Sequence, residues 1–369
     1  MLYALRLHAD EAVRRYDLGW REKKALRDLV RCRTPALGGH LEVCPGCGFE
    51  RPSYNSCRNR HCPGCQEGRR RRWVEARELR VLPVAHFQVV FTLPGELRSL
   101  AKAFPRVVLH LLFDAASHVL QTLARQRMDA RLALTMVLHT WNRKMGWHPH
   151  VHVIVSAGGL SLDGARWVPT RPAYLFPERV LNAMFRGRML ATLEEARRKG
   201  DLGDTHLYRR NLRAKAWVVD VTPPEDRPVE HVIRYLARYV YGVAIHDARI
   251  VEVTAQTVTF HTRDKNTHTV PGPEFARLYL QHVLPARFRK VRHYGLFAPS
   301  MSAQLESARE LVPAPTAQAV SEPEDSDNTE DRTEHPLRPL PLCPACHTHR
   351  LGLRPLPHTP ESARGPPWW

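Results

Sequence analysis

One stretch constrains this chain more than any other: Gly146-Trp147-His148-Pro149-His150-Val151-His152-Val153-Ile154-Val155-Ser156-Ala157-Gly158-Gly159-Leu160. An apolar, β-branched run closed by Gly-Gly reads as a buried strand ending in a turn. Side chains alternate across a strand, so His150 and His152 leave it on the same side. His148 joins them if Pro149, a residue suited only to the start of such a strand, leaves the geometry intact. Imidazoles converging from one rigid strand are placed to hold a divalent metal. The plain alternative, histidines hydrogen-bonded in a core, accounts better for a single residue than for an alternating triplet.

Lys and Arg total 55 against 37 Asp and Glu, a formal charge of +18. Such a balance suits a polyanionic partner, nucleic acid ahead of a membrane surface. No apolar run approaches the ~20 residues that span a bilayer. The first residues, Met1 to Glu11, lack the basic, apolar and cleavage regions of a signal peptide. The expectation is a cytoplasmic protein without a membrane partner. Thiols stay reduced there, so the eight cysteines read as metal ligands rather than disulfides.

Residues 1–30 pattern as an amphipathic helix. Beyond it, Cys44-Pro45-Gly46-Cys47 and Cys62-Pro63-Gly64-Cys65 form two C-x-x-C knuckles separated by fourteen residues. That is close to, though slightly short of, the spacing of a four-cysteine zinc ribbon, and Pro-Gly suits the tight turn of each knuckle. Cys44, Cys47, Cys62 and Cys65 are therefore the expected structural zinc ligands. Cys32, His40, Cys57 and His61 remain in the same stretch, of types that permit a second zinc site. The run Arg69-Arg70-Arg71-Arg72 closes this module; beside a zinc ribbon in so basic a chain it reads as phosphate-contacting.

Strands are expected over 84–93, 131–141 and 215–221, and helices over 95–128, 177–199, 228–241 and 273–283, with a hairpin at 249–263. On the long helix, His110, Asp114 and His118 recur every four residues, the pattern of an ordinary polar stripe. On the helix 228–241, Tyr235 and Tyr239 lie one turn apart beside an apolar stripe, and Arg234 and Arg238 face outward. After residue 300 the composition changes: residues 321–334 carry seven acidic side chains and proline dominates from 336. That predicts a disordered tail. Within it, Cys343-Pro344-Ala345-Cys346-His347 matches a haem c attachment pattern, but without export it reads as a small metal knuckle or an inert remnant.

A metal on His150 and His152 beside two tyrosines suggests covalent catalysis at phosphorus. The ion would polarise a scissile phosphate, and a phenol, otherwise a poor nucleophile at neutral pH, would attack it. Taken alone, Tyr-x-x-x-Tyr equally describes rings packed on a helix flank with their hydroxyls in water.

These motifs together resemble the IS91-like insertion-sequence transposases, two-tyrosine members of the HUH endonuclease class. The resemblance covers about residues 10–299. It is carried by the cysteine knuckles with Ser56-Cys57-Arg58-Asn59-Arg60-His61-Cys62-Pro63, by His148-Pro149-His150-Val151-His152, by Tyr235-Leu236-Ala237-Arg238-Tyr239, and by His293-Tyr294-Gly295-Leu296. It implies an α+β fold, a central antiparallel HUH-type sheet with packed helices, preceded by a small zinc-ribbon-like module. It implies Mg²⁺ or Mn²⁺ on His150 and His152 with His148 or another side chain as third ligand. It further implies Tyr235 and Tyr239 as nucleophiles, single-stranded DNA at element ends as substrate, and rolling-circle-like transposition. The expected domains are 1–95 for the zinc-binding module, 96–299 for the catalytic part, whose first strand starts near 84, and 300–369 for the tail. A plasmid or phage replication initiator of the same class would share this chemistry. A histidine-triad nucleotide hydrolase would match only the histidine strand, and a non-enzymatic zinc-ribbon DNA-binding protein would leave the tyrosines without a role.

Overall fold

The computed structural model describes all residues except 79, 204–208, 216, 225–236, 238–239, 241, 243, 263–265, 314–341 and 357–369. The expected N-terminal helix is two helices, α1 (Leu2–Arg15) and α2 (Trp20–Arg31). The chain breaks at Gly19, whose amide donates to the Glu22 carboxylate at 2.7 Å and so caps α2. Their apolar faces, with Leu5, Leu26 and Leu29 fully buried, share one core with Phe260, Phe275 and Leu280 from the distant end of the sequence. The hairpin β1 (Gly39–Val43) and β2 (Glu50–Tyr54) follows, then α3 (Glu67–Glu78), which carries the arginine run.

The next elements are β3 (His86–Thr92), α4 (Arg98–Ala103), α5 (Pro105–Met128), β4 (Ala130–Trp141), β5 (Trp147–Ser161), β6 (Trp167–Pro169), α6 (Glu178–Arg198) and β7 (Val218–Thr222). The helix expected over 95–128 divides at Pro105, which cannot donate to a preceding turn but is well placed to open a new helix. The antiparallel strands β8 (Ile250–Val253), β9 (Thr257–His261) and β10 (Thr267–Pro271) form a small sheet. A helix, Gly272–Leu280, and β11 (Val291–Gly295) complete the patterned region.

The central sheet runs β11-β4-β5-β3-β7, with β6 paired to β5, and every pairing is antiparallel. Alternation gives it two unlike faces. Phe87, Val89, Phe91, Leu134, Met136, Leu138, Val151, Val153 and Val155 point to one side and are packed beneath α5 and α6. The other side carries the histidines. α5 is long and apolar enough to cross a membrane by length and composition, contrary to the expectation that no stretch approaches this. Its apolar residues are nevertheless spent inside this core, the ordinary fate of a central helix.

Past residue 300 the expected disordered tail contains order. Helix Ser302–Leu311 buries Leu305 and Ala308 against Leu82, Ala133, Leu160 and Leu296. Strand β12 (Gly352–Pro355) pairs antiparallel with β1, giving a sheet of order β12-β1-β2. A bulk count of proline and acid hides both pieces, because each depends on a few well-spaced apolar or cysteine residues. The acidic run 321–334 lies outside the described residues.

Candidate functional site

β4 and β5 form a hairpin whose connection is held by Asn142: its side-chain oxygen accepts from the amides of Lys144 and Gly146 at 2.9 and 2.8 Å. The turn pairs Trp141 with Trp147, and a one-residue shift between His139 and Trp141 then places His139 opposite His150. His139, His150 and His152 therefore converge on one face, each offering a ring nitrogen within 4.8 Å of the others. Their ring centroids are 4.6–5.4 Å apart. Pro149 sits inside β5, and the β4 pairing is irregular between His139 and Trp141. An irregular ladder is where a residue without an amide hydrogen is tolerated.

The geometry fits a metal. The His148 carbonyl accepts from His150 Nδ1 at 2.7 Å, which fixes the tautomer in which Nε2 is the ligating nitrogen. Gln88 Nε2 on β3 lies 3.0 Å from His152 Nδ1 and orients that ring. His148 is not in the cluster. Arg98 donates to its Nδ1 at 2.6 Å, and burial together with that guanidinium holds its pKa below the usual histidine value. The third imidazole is thus His139 rather than His148, a residue the motif alone did not single out.

The arginine run lies over this same face. Trp73 of α3 packs with Val137, Ile154 and Val291 of the sheet. Arg77 is 3.2 Å from His293 Nε2, and Thr135 is 3.0 Å from His293 Nδ1, so His293 joins α3, β11 and β4. Arg69, Arg71 and Arg72 are exposed. Tyr235, Tyr239, Arg234 and Arg238 lie outside the described residues. Val240, which follows Tyr239, is buried against Val137 and Ile154 on the histidine face. The stripe on α5 is ordinary: His110 Nδ1 donates to the Arg106 carbonyl at 2.6 Å, Asp114 accepts from the Tyr294 hydroxyl at 3.2 Å, and His118 is exposed.

The cysteines group differently from the expected ribbon. Cys62 and Cys65 are brought together with Cys32, at the end of α2, and Cys57. Their sulfurs stand 3.5–3.7 Å apart. Four thiolates around a zinc at about 2.3 Å would be about 3.8 Å apart, whereas a disulfide needs about 2.05 Å. A hydrogen bond from Cys62 lowers Cys57 to about 6, while burial raises Cys32 to about 11. Cys44 and Cys47 are elsewhere, beside Cys343 and Cys346. The expected set of Cys44, Cys47, Cys62 and Cys65 is divided because the intervening chain turns outward as β2 rather than folding knuckle onto knuckle. His40 and His61 belong to neither cluster. His40 is on β1 near Glu42, and burial with the adjacent Arg60 lowers His61 to about 3.

Two family models match the chain. Residues 4–93 match the one described as a transposase zinc-binding domain, and residues 134–304 the one described as "Putative transposase". A protein of Sinorhizobium fredii (strain NBRC 101917 / NGR234) named "Putative transposase y4qJ" is 37% identical over 355 residues, 89% of this chain and 88% of that one. A protein of Pseudomonas savastanoi pv. phaseolicola named "Transposase for insertion sequence element IS801" is 25% identical over 324 residues, 80% of this chain and 76% of that one. No solved structure gives a significant match.

Proposed function

The chain belongs to the IS91-like transposase family, and on that premise we propose that it nicks and joins single-stranded DNA at insertion-sequence ends through a phosphotyrosine link. The observation that carries this reading is the convergence of His139, His150 and His152 on a sheet face overlain by the arginine helix α3. Mg²⁺ or Mn²⁺ held by these imidazoles would supply Lewis-acid polarisation of the scissile phosphate.

Tyr235 and Tyr239 are the nucleophiles in this reading. The attacking Oη gives up its proton and bonds to phosphorus. The bond from phosphorus to the 3′-oxygen breaks, and that oxygen takes a proton from water. A 5′-phosphotyrosine and a 3′-hydroxyl result. Attack by another 3′-hydroxyl reverses the chemistry and joins a new strand without ATP. Two tyrosines at i and i+4 let one hold a DNA end while the other cuts again, as a rolling-circle-like cycle requires. Arg69, Arg70, Arg71 and Arg72, with Arg234 and Arg238, would neutralise the backbone phosphates. The reaction belongs in the cytoplasm, where DNA is available and the cysteines stay reduced.

The test is a labelled single-stranded oligonucleotide of a cognate element end, incubated with Mg²⁺ or Mn²⁺ and resolved on a denaturing gel. A covalent protein–DNA adduct that needs the metal and vanishes in the Tyr235→Phe/Tyr239→Phe double variant is expected. No adduct, with tight DNA binding retained, would turn the reading to a DNA-binding protein without nuclease activity.

A further inference from the structure

Cys44, Cys47, Cys343 and Cys346 stand together although nearly 300 residues separate the two pairs, and neither family match reaches the second pair. We propose that they form a second zinc site, split between the two halves of a ribbon, and that its metal fastens residues 342–356 onto the β1–β2 hairpin.

Cys44 and Cys346 sulfurs are 3.7 Å apart, and those of Cys47 and Cys343 are 3.6 Å apart, close to the edge of a thiolate tetrahedron around zinc. Each pair occupies the tip of a hairpin. Cys44 and Cys47 sit between β1 and β2, where the Cys44 amide donates to the Phe49 carbonyl at 2.8 Å. Cys343 and Cys346 sit between Leu342 and Arg350, which form an antiparallel bridge, and the Cys343 amide donates to the His349 carbonyl at 2.8 Å. The two knuckles read Cys-Pro-Gly-Cys and Cys-Pro-Ala-Cys, the same motif that serves the other cluster at Cys62–Cys65.

The second knuckle is prepared for an ion. The Ala345 amide donates to Cys343 Sγ at 3.4 Å and the Thr348 hydroxyl to Cys346 Sγ at 3.2 Å, bonds that stabilise thiolates. The first knuckle is shaped for the second: a Cβ on Gly46 would fall 2.3 Å from the His349 ring. Four soft sulfurs select zinc over magnesium or calcium. Among the described residues, the apolar core here is Cys44, Cys343 and Leu351 with Phe49 and Cys346 against them, too small to offset the entropy of ordering the segment. A metal supplies what that core lacks.

The experiment is elemental analysis of the full chain purified with Zn²⁺, joined to limited trypsin digestion read at Arg350 and Arg354. The Cys343→Ser/Cys346→Ser variant is expected to hold one zinc ion fewer than the wild type, with Arg350 and Arg354 then cleaved at least tenfold faster. The Cys44→Ser/Cys47→Ser variant, altered far away in sequence, is expected to give the same loss of one ion and the same new cleavage. Thermal melts keep loss of a site distinct from failure to fold, because the Cys32 site and central sheet are intact in both. The same zinc content in the wild type and either variant, or unchanged cleavage at Arg350 and Arg354, would overturn the proposal.

Discussion

His139 and His148 lie on opposite arms of a hairpin, and the fold gives them unlike surroundings. His139 faces His150 and His152, whereas His148 is held by Arg98. His139→Ala is therefore expected to remove the metal-dependent adduct as completely as His150→Ala or His152→Ala, with DNA binding largely intact. His148→Ala should retain a substantial fraction of the adduct on the same gel. The position of His139 was not legible from the turn alone: pairing 141 with 147 sets 139 opposite 149, and only the irregularity between His139 and Trp141 moves it opposite His150. The motif drew attention to neighbours along the strand, and register runs across it. Buried histidines also set an acid limit. Burial lowers His86 to about 4, while unfolded histidine titrates near 6.5. The unfolded chain thus binds a proton that the folded one refuses, so this stability is full above about 6.5 and is lost as pH falls toward 4. Thermal melts across that window should show a loss on the order of 1–3 kcal/mol from His86, and His86→Phe should flatten the curve.

Among the elements, α3 joins charge to the histidine face, because Trp73 and Arg77 anchor it while its exposed arginines stay outside. Arg69→Ala, Arg71→Ala and Arg72→Ala should each weaken single-stranded DNA binding alike on all sequences. Each should also reduce the slope of log affinity against log salt by about 0.7 for every phosphate left without its arginine. β11 is fastened differently. Gly295 has φ +58 and its missing Cβ would lie 1.8 Å from the Leu132 carbonyl oxygen. Gly295→Ala should cost at least about 1–2 kcal/mol for the left-handed backbone alone, with the clash added, read from chemical denaturation. Strands and helices with strong periodicity were visible in sequence. The breaks were less so, since Pro105 interrupts an apolar pattern that continues on both sides. The pairing of cysteines was least visible: spacing along the chain favoured Cys44, Cys47, Cys62 and Cys65, while the helix end at Cys32 and the knuckle at Cys343 enter only through the fold.

At the scale of the molecule, the region that matches the transposase zinc-binding domain and the central sheet interlock. β3 hydrogen-bonds both β5 and β7 from the sheet's interior, and α1 and α2 share their core with Phe275 and Leu280. A fragment 96–299 lacks that strand and both helices, so it should show no cooperative melting transition where the full chain shows one. The two cysteine clusters also differ in when they can exist at all. Cys32, Cys57, Cys62 and Cys65 emerge within one short interval of synthesis. Cys343 follows Cys47 by 296 residues, which at about 5–20 residues per second means a wait of roughly 15–60 s. During that wait Cys44 and Cys47 are half a site, exposed to any soft metal or oxidant, while the histidine hairpin between them and their partners is still being made. The last junction to close is thus the one that joins the beginning of the chain to its end, and a chain cut short anywhere before Cys343 carries that unfinished knuckle as a permanent mark.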